Sequence, residues 1–102
     1  MAESIILRPE AINDLLIAKT WYDSQYAGLG RRFVEEFDRR MILLSTNPLI
    51  GHSFFESVRK IVMRKFPFTI FYIPEEQQIV ILACLHSKRD PQELAALVEN
   101  RK

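Results

Sequence analysis

Phe66-Pro67-Phe68-Thr69-Ile70-Phe71-Tyr72-Ile73, Pro74-Glu75-Glu76-Gln77 and Ile79-Val80-Ile81-Leu82-Ala83-Cys84-Leu85 follow one another almost without interruption. Two β-branched and aromatic runs around a polar turn predict two successive strands. Pro67 suits the entry of the first strand, because proline cannot donate to a ladder in mid-sheet. The second run is apolar on both faces, which predicts a central position in the sheet. Working back toward the N-terminus, Val58, Lys60, Val62 and Arg64 alternate with Arg59, Ile61, Met63 and Lys65. A period of two predicts another strand over 58–65.

Before Gly51 the period is helical. Phe33, Phe37, Met41 and Leu44 recur at steps of four and three, and Asn47-Pro48 ends that helix. An earlier helix opens at Pro9-Glu10-Ala11, with proline in the first turn and an acid at the positive end of the dipole. Its stripe is Ile12, Leu15, Leu16, Lys19 and Tyr22, and it runs to about Ser24. Gly28-Leu29-Gly30 breaks the pattern, so the two helices form an antiparallel hairpin. Ser4 to Arg8 reads as a strand stopped by Pro9. Asp90-Pro91-Gln92-Glu93 reads as a capped start for a terminal helix through Leu94, Leu97 and Val98. The predicted order is β-α-α-β-β-β-α. Because the two long strands are apolar on both faces, the hairpin covers one face. The other needs the terminal helix, a partner, or both.

At 102 residues and 12.0 kDa the chain is read as one domain over 1–102, and 48% hydrophobic against 26% charged residues excludes disorder. The apolar run Ile79–Leu85 is far shorter than the ~20 residues of a membrane span. No basic segment leads into an apolar one at the start, so an export signal is not expected and the chain is expected to be cytoplasmic. Cys84, the single cysteine, lies inside an apolar strand and reads as core. His52 and His86 lack ligand-spaced companions, so neither a metal nor a cofactor is expected. The net charge of +1 excludes general coating of nucleic acid. Residues 1–56 carry six Lys/Arg against eight Asp/Glu, and residues 57–102 carry eight against five, so the basic excess is local.

That excess peaks at Arg59, Lys60, Arg64 and Lys65, and His86, Lys88 and Arg89 follow the last strand. Metal-free phosphodiester cleavage needs cations for developing negative charge and a group that moves a proton. His86 with Arg59 or Arg64 has the right chemistry. The same cations equally suit a solvated role that protects a sheet edge. Trp21, Tyr22 and Tyr26 form an aromatic cluster at the end of the first helix, with one ring expected in the core and another available to a partner.

Several segments together resemble the RelE/ParE toxins of bacterial type II toxin–antitoxin systems. These are Ile5-x-Leu7-x-Pro9-Glu10-Ala11, Asp14-Leu15, Trp21-Tyr22, Gly28-Leu29-Gly30 with Phe33 and Glu36, and Asn47-Pro48. The resemblance is sharpest at Val58-Arg59-Lys60, Phe66-Pro67-Phe68-x-Ile70-x-Tyr72 and His86-x-x-Arg89-Asp90-Pro91, and it spans about residues 5–91. It implies an α+β fold in which a helical hairpin packs on a small, mostly antiparallel sheet. It also implies a cognate antitoxin that wraps the toxin, giving a hetero-oligomer.

RelE-like members are ribosome-dependent messenger-RNA endonucleases that use basic residues and a terminal Tyr or His. ParE-like members lack most of that set and poison DNA gyrase. Here Phe66–Tyr72 contains no cation, and a helix is predicted after Arg89-Asp90-Pro91, so the resemblance favours the ParE-like branch and a role in plasmid stabilisation. Under the nuclease alternative the catalytic set is His86, Arg64, Arg59 and Arg89. A third alternative is an inactive remnant that only binds antitoxin. The antitoxin segment is expected to be an acidic amphipathic peptide, disordered alone, that contacts Trp21 or Tyr22, Val58 and Val62 and sets carboxylates against Arg59, Lys60 and Arg64.

Overall fold

A computed structural model describes residues 3–102. The apolar periodicities fold into β1 (Ser4–Leu7), α1 (Pro9–Gln25), α2 (Leu29–Thr46), β2 (His52–Phe55), β3 (Val58–Val62), β4 (Phe68–Glu75), β5 (Gln78–His86) and α3 (Pro91–Arg101). The sheet order is β1-β5-β4-β3-β2, with β1 parallel to β5 and every other pair antiparallel. This is the expected α+β architecture, and β5 is interior as its two-sided apolar run predicts. It has one more strand than the periodicity indicated. His52-Ser53-Phe54-Phe55 is too short to alternate, yet it pairs with β3 and closes the sheet edge.

The strand predicted over 58–65 stops at Val62. Met63 N–H donates to Phe68 C=O at 2.8 Å, and Lys65 takes a left-handed φ of 70°, so Arg64 and Lys65 sit on the β3–β4 turn. Pro67 lies in that turn, next to the start of β4. Pro74 is tolerated inside β4 because β3 pairs only with Thr69–Tyr72 and has ended by that point.

The helical hairpin is tight for a local reason. Gly28 enters α2 with a φ of 86°, and Gly30 N–H donates to Asp23 Oδ1 at 2.8 Å. A Cβ on Gly30 would stand 2.5 Å from Lys19 O and 2.6 Å from Asp23 Cγ, so only glycine lets α1 and α2 approach this closely. The hairpin lays Ala11, Ala18, Tyr22, Phe33, Phe37 and Leu44 against Ile70, Tyr72, Ile79, Ile81 and Cys84 on one face of the sheet. On the other face, Leu94 and Val98 of α3 cover Val58, Phe71, Val80, Leu82 and Leu85. The terminal helix therefore supplies the second layer. Its start is capped by Asp90, whose Oδ1 accepts from Gln92 N at 2.7 Å.

A buried ion pair ties the two layers together. β1 pairs with β5 only as far as Ile81, which leaves the next stretch of β5 without a strand neighbour on that side. Asp14 of α1 and Arg101 of α3 meet there. Asp14 Oδ2 accepts from Cys84 N at 3.0 Å and from Arg101 Nη1 at 2.6 Å, and Oδ1 accepts from Arg101 Nη2 at 3.2 Å. Arg101 Nη1 also donates to Leu82 C=O at 3.2 Å. Edge N–H and C=O groups that would otherwise be buried without partners are satisfied by one side-chain pair.

Candidate functional site

The C-terminal ends of β3 and β5 and the start of β4 lie at one end of the sheet, flanked by the second half of α1. A cleft of about 460 Å³ opens there between α1 and the end of β5. Ile17, Ala18 and Trp21 form its α1 wall, Pro67, Phe68 and Cys84 its floor, and His86 and Arg89 its rim. The lining is mostly apolar, with His86 and Arg89 at the rim and the Asp14 carboxylate, already paired with Arg101, at its inner wall, the make-up of a site that takes an apolar side chain and orients it with a polar one.

Trp21 and Tyr22 separate cleanly. Trp21 is 56% exposed beside the cleft, whereas Tyr22 turns inward against Phe33 and Phe66. Burial, with a smaller contribution from Cys84, pushes the Tyr22 phenol above its ordinary value. Tyr22 is thus mainly a core residue, and it reaches the outside only as part of the lining of the cleft. Val58 requires the same correction, since it is fully buried beneath α3 and offers nothing to a partner while that helix is in place. Val62 is 55% exposed, but it lies on the α3 face of the sheet, opposite the cleft. Lys60 is half-buried on that same face, with Nζ 5.4 Å from the Phe54 ring centroid.

The expected nuclease set does not converge. Arg59 pairs in register with Tyr72, whereas His86 pairs with Phe68 four residues away on the intervening strand. At ~3.4 Å per residue and ~4.8 Å per strand step, their backbones stand roughly 16 Å apart. The Arg59 guanidinium is also engaged, donating to Gly51 C=O at 2.7 Å and to Leu49 C=O at 3.2 Å. It clamps the segment entering β2. Gly51 N–H in turn donates to the buried Tyr72 hydroxyl at 2.9 Å. Arg64 lies on the β3–β4 turn and lines a separate depression. His86 and Arg89 do share the cleft. His86 meets the Phe68 ring at 5.3 Å, its Nδ1 accepts from Lys88 N at 3.1 Å, and Arg89 pairs with Glu93 at 3.2 Å. Cys84 is inert, because burial pushes its thiol far up and Asp14 adds to the shift.

Sequence reading missed a second cluster. Arg39 and Arg40 of α2 and Arg64 and Lys65 of the turn surround the buried carboxylate of Glu36 in a depression of about 340 Å³. Arg32 stands about two turns earlier on α2, and the i, i+7, i+8 spacing of these arginines was the available signal. Among the described residues, no three His, Cys, Asp or Glu side chains are grouped to hold a metal. Nor is any described helix long and apolar enough to cross a membrane.

The family model for the ParE toxin of the type II toxin–antitoxin system parDE matches residues 5–91. The chain belongs to the ParE toxin family. No curated protein matches it. Among solved structures, a chain of the chromosomal ParDE TA system from P. aeruginosa superposes with a TM-score of 0.75 at 19% identity, over 85% of this chain and 98% of that one. At that identity the likeness speaks for the fold. The family match begins within β1 and ends at the first residue of α3, so it takes in the helical hairpin, all five strands but for the first residue of β1, and the cleft.

Proposed function

We propose that this ParE family member is a growth-inhibiting toxin that acts by binding and poisoning DNA gyrase and is neutralised by a cognate antitoxin. The observation that carries the gyrase reading is the failure of the cations to gather around His86. Arg59 is a structural clamp, Arg64 faces another depression, and β4 carries no cation at all. A surface built for docking needs none of that catalytic set. The messenger-RNA endonuclease remains a second reading because His86 and Arg89 share one cleft, an acid/base candidate beside a cation.

The antitoxin segment engages this end of the sheet. An apolar side chain enters the cleft beside Trp21, and further contacts reach Val62 and Lys60 on the opposite face and Arg64 on the turn. Because Trp21 and Val62 lie on opposite faces, a single segment must wrap the sheet end to reach both. An acidic amphipathic peptide suits this path, with its ordering cost met on binding.

Induction of the chain with and without its antitoxin tests both parts. Growth arrest with a DNA-damage response, relieved by co-expression of the antitoxin, is expected. Cleavage of translated messages on primer extension, abolished by His86→Ala, would replace the gyrase reading with the nuclease one. Undisturbed growth at high levels of folded protein would leave only an inactive antitoxin-binding module.

A further inference from the structure

The depression formed by Arg39, Arg40, Arg64 and Lys65 gathers four cations around the one carboxylate of Glu36, and of these only Arg64 lies on the antitoxin path proposed above. We infer that this depression, extended along α2 by Arg32, is a contact surface for the phosphodiester backbone of duplex DNA. The inference deepens the gyrase reading and rests on it in one respect: gyrase is where such a duplex would be met.

Four of the five cations, Arg32, Arg39, Arg64 and Lys65, are exposed, and Arg40 is half-buried. Among the described residues, no ion pair engages Arg32, Arg40 or Arg64. The acid lining the depression is Glu36, which holds Arg39 directly and Lys65 at 3.8 Å and so fixes two cations in place without neutralising the group. Glu35, one residue away, pairs with Arg31 at 3.7 Å. Lys65 keeps its left-handed φ of 70°, a conformation glycine would adopt at less cost, and this backbone places its ammonium beside Glu36.

The lining chooses between polyanions. Where Arg40 and Arg64 stand the lining is charged throughout, with no apolar group to anchor a peptide that must fold as it binds, and Leu29, Phe66 and Pro67 enter only in the adjoining hollow at Arg32. Guanidinium forks free of ion pairs, as at Arg32, Arg40 and Arg64, suit phosphate oxygens, which need charge and geometry but no apolar burial. From Arg32 to Arg40 the helix rises ~12 Å, enough to face about two or three successive phosphates of one strand, and Arg64 and Lys65 on the turn extend the contact.

The test is fluorescence anisotropy of a labelled mixed-sequence DNA duplex titrated with the full chain over a salt series. Neutralising about four phosphates predicts that log K falls with log salt at a slope near −3.6, a loss of roughly a hundredfold in affinity between about 50 and 200 mM. The double variant Arg32→Gln/Arg40→Gln should lower the slope by about 2 and weaken low-salt binding at least tenfold, equally for different sequences. Thermal melts of that variant, matching the parent, check its folding. Absence of salt-dependent binding by the parent overturns the inference, as does a variant that binds like the parent. Tighter binding of single-stranded RNA through the same arginines would assign the surface to RNA. Slowed antitoxin capture with unchanged duplex binding would assign it to an acidic peptide. A supercoiling assay run in parallel keeps the readings apart. Duplex binding without gyrase inhibition retires the gyrase reading alone, and gyrase inhibition without duplex binding retires the DNA surface alone.

Discussion

Replacing Arg101 with methionine should destabilise the fold far more than its place in the last turn of a terminal helix suggests. The side chain is 14% exposed and its Asp14 partner 8%, so both groups are largely removed from water. Methionine retains the apolar stem but deletes two hydrogen bonds to Asp14 and one to Leu82 C=O. What remains is a buried carboxylate with Cys84 N–H as its one partner from the sheet. Breaking a buried pair by removing one partner costs about 3–5 kcal/mol. Helix ends open readily to water, so the lower end of that range, about 3 kcal/mol, is expected. For a domain this size that is a drop in Tm of roughly 12–24 °C. Urea unfolding of parent and variant measures it, with equal slopes showing that the unfolded states are comparable. A second variant, Asp14→Leu/Arg101→Met, removes the whole pair. It should recover part of the loss, being left with unpaired backbone groups on β5 at about 1–3 kcal/mol. A loss below about 1 kcal/mol for Arg101→Met would show that α3 is not held to α1 through this pair.

Tyr72→Phe leaves the Gly51 N–H without its partner in a buried position and should cost about 1–3 kcal/mol by urea unfolding. An unchanged midpoint would mean that another group or a water takes over that donor. Trp21→Ala should leave stability within about 0.5 kcal/mol of the parent, because the ring is exposed, but weaken antitoxin binding at least tenfold by calorimetry. Equal affinity would place the antitoxin elsewhere. The Asp23 carboxyl is lowered, first by its hydrogen bond from Lys19 and then by that from Gly30 N–H. Its contribution is therefore complete above the ordinary carboxylate value of ~3.9 and is lost as pH falls through the lowered folded value. The stability difference between parent and Asp23→Asn should be constant at neutral pH and close as the solution is acidified below about pH 4, as followed by chemical denaturation. A gap that stays open at the acid end would contradict that assignment.

Elements with a strong period were legible from residues alone. Phe33, Phe37, Met41 and Leu44 mark the buried face of α2, and the run Ile79–Leu85 is interior to the sheet because both its faces are covered. The cap at Asp90-Pro91 located the start of α3 to the residue. Local pattern failed where structure depends on pairing across long separations. β2 has four residues and no alternation of its own, and it exists because β3 offers it a ladder. Asp14 and Arg101 are 87 positions apart, so no window could connect them. The candidate site suffered from the same limit. Alternation through Arg64 suggested one basic strand, but the strand ends at Val62, so Arg64 and Lys65 turn toward α2 while Arg59 turns toward Gly51. Four cations that look contiguous in sequence serve three different places. Trp21 and Tyr22 are adjacent on a helix, so about 100° separates them, and only packing decides which one the core takes.

Everything proposed for the free chain turns on its disabling gyrase by binding it. Its most direct test is supercoiling of relaxed plasmid by purified gyrase, titrated with the folded chain alone and after preincubation with its antitoxin. Loss of supercoiling with accumulation of cleaved DNA is expected, with restoration by the antitoxin. Supercoiling that proceeds normally at a large excess of folded toxin would contradict it.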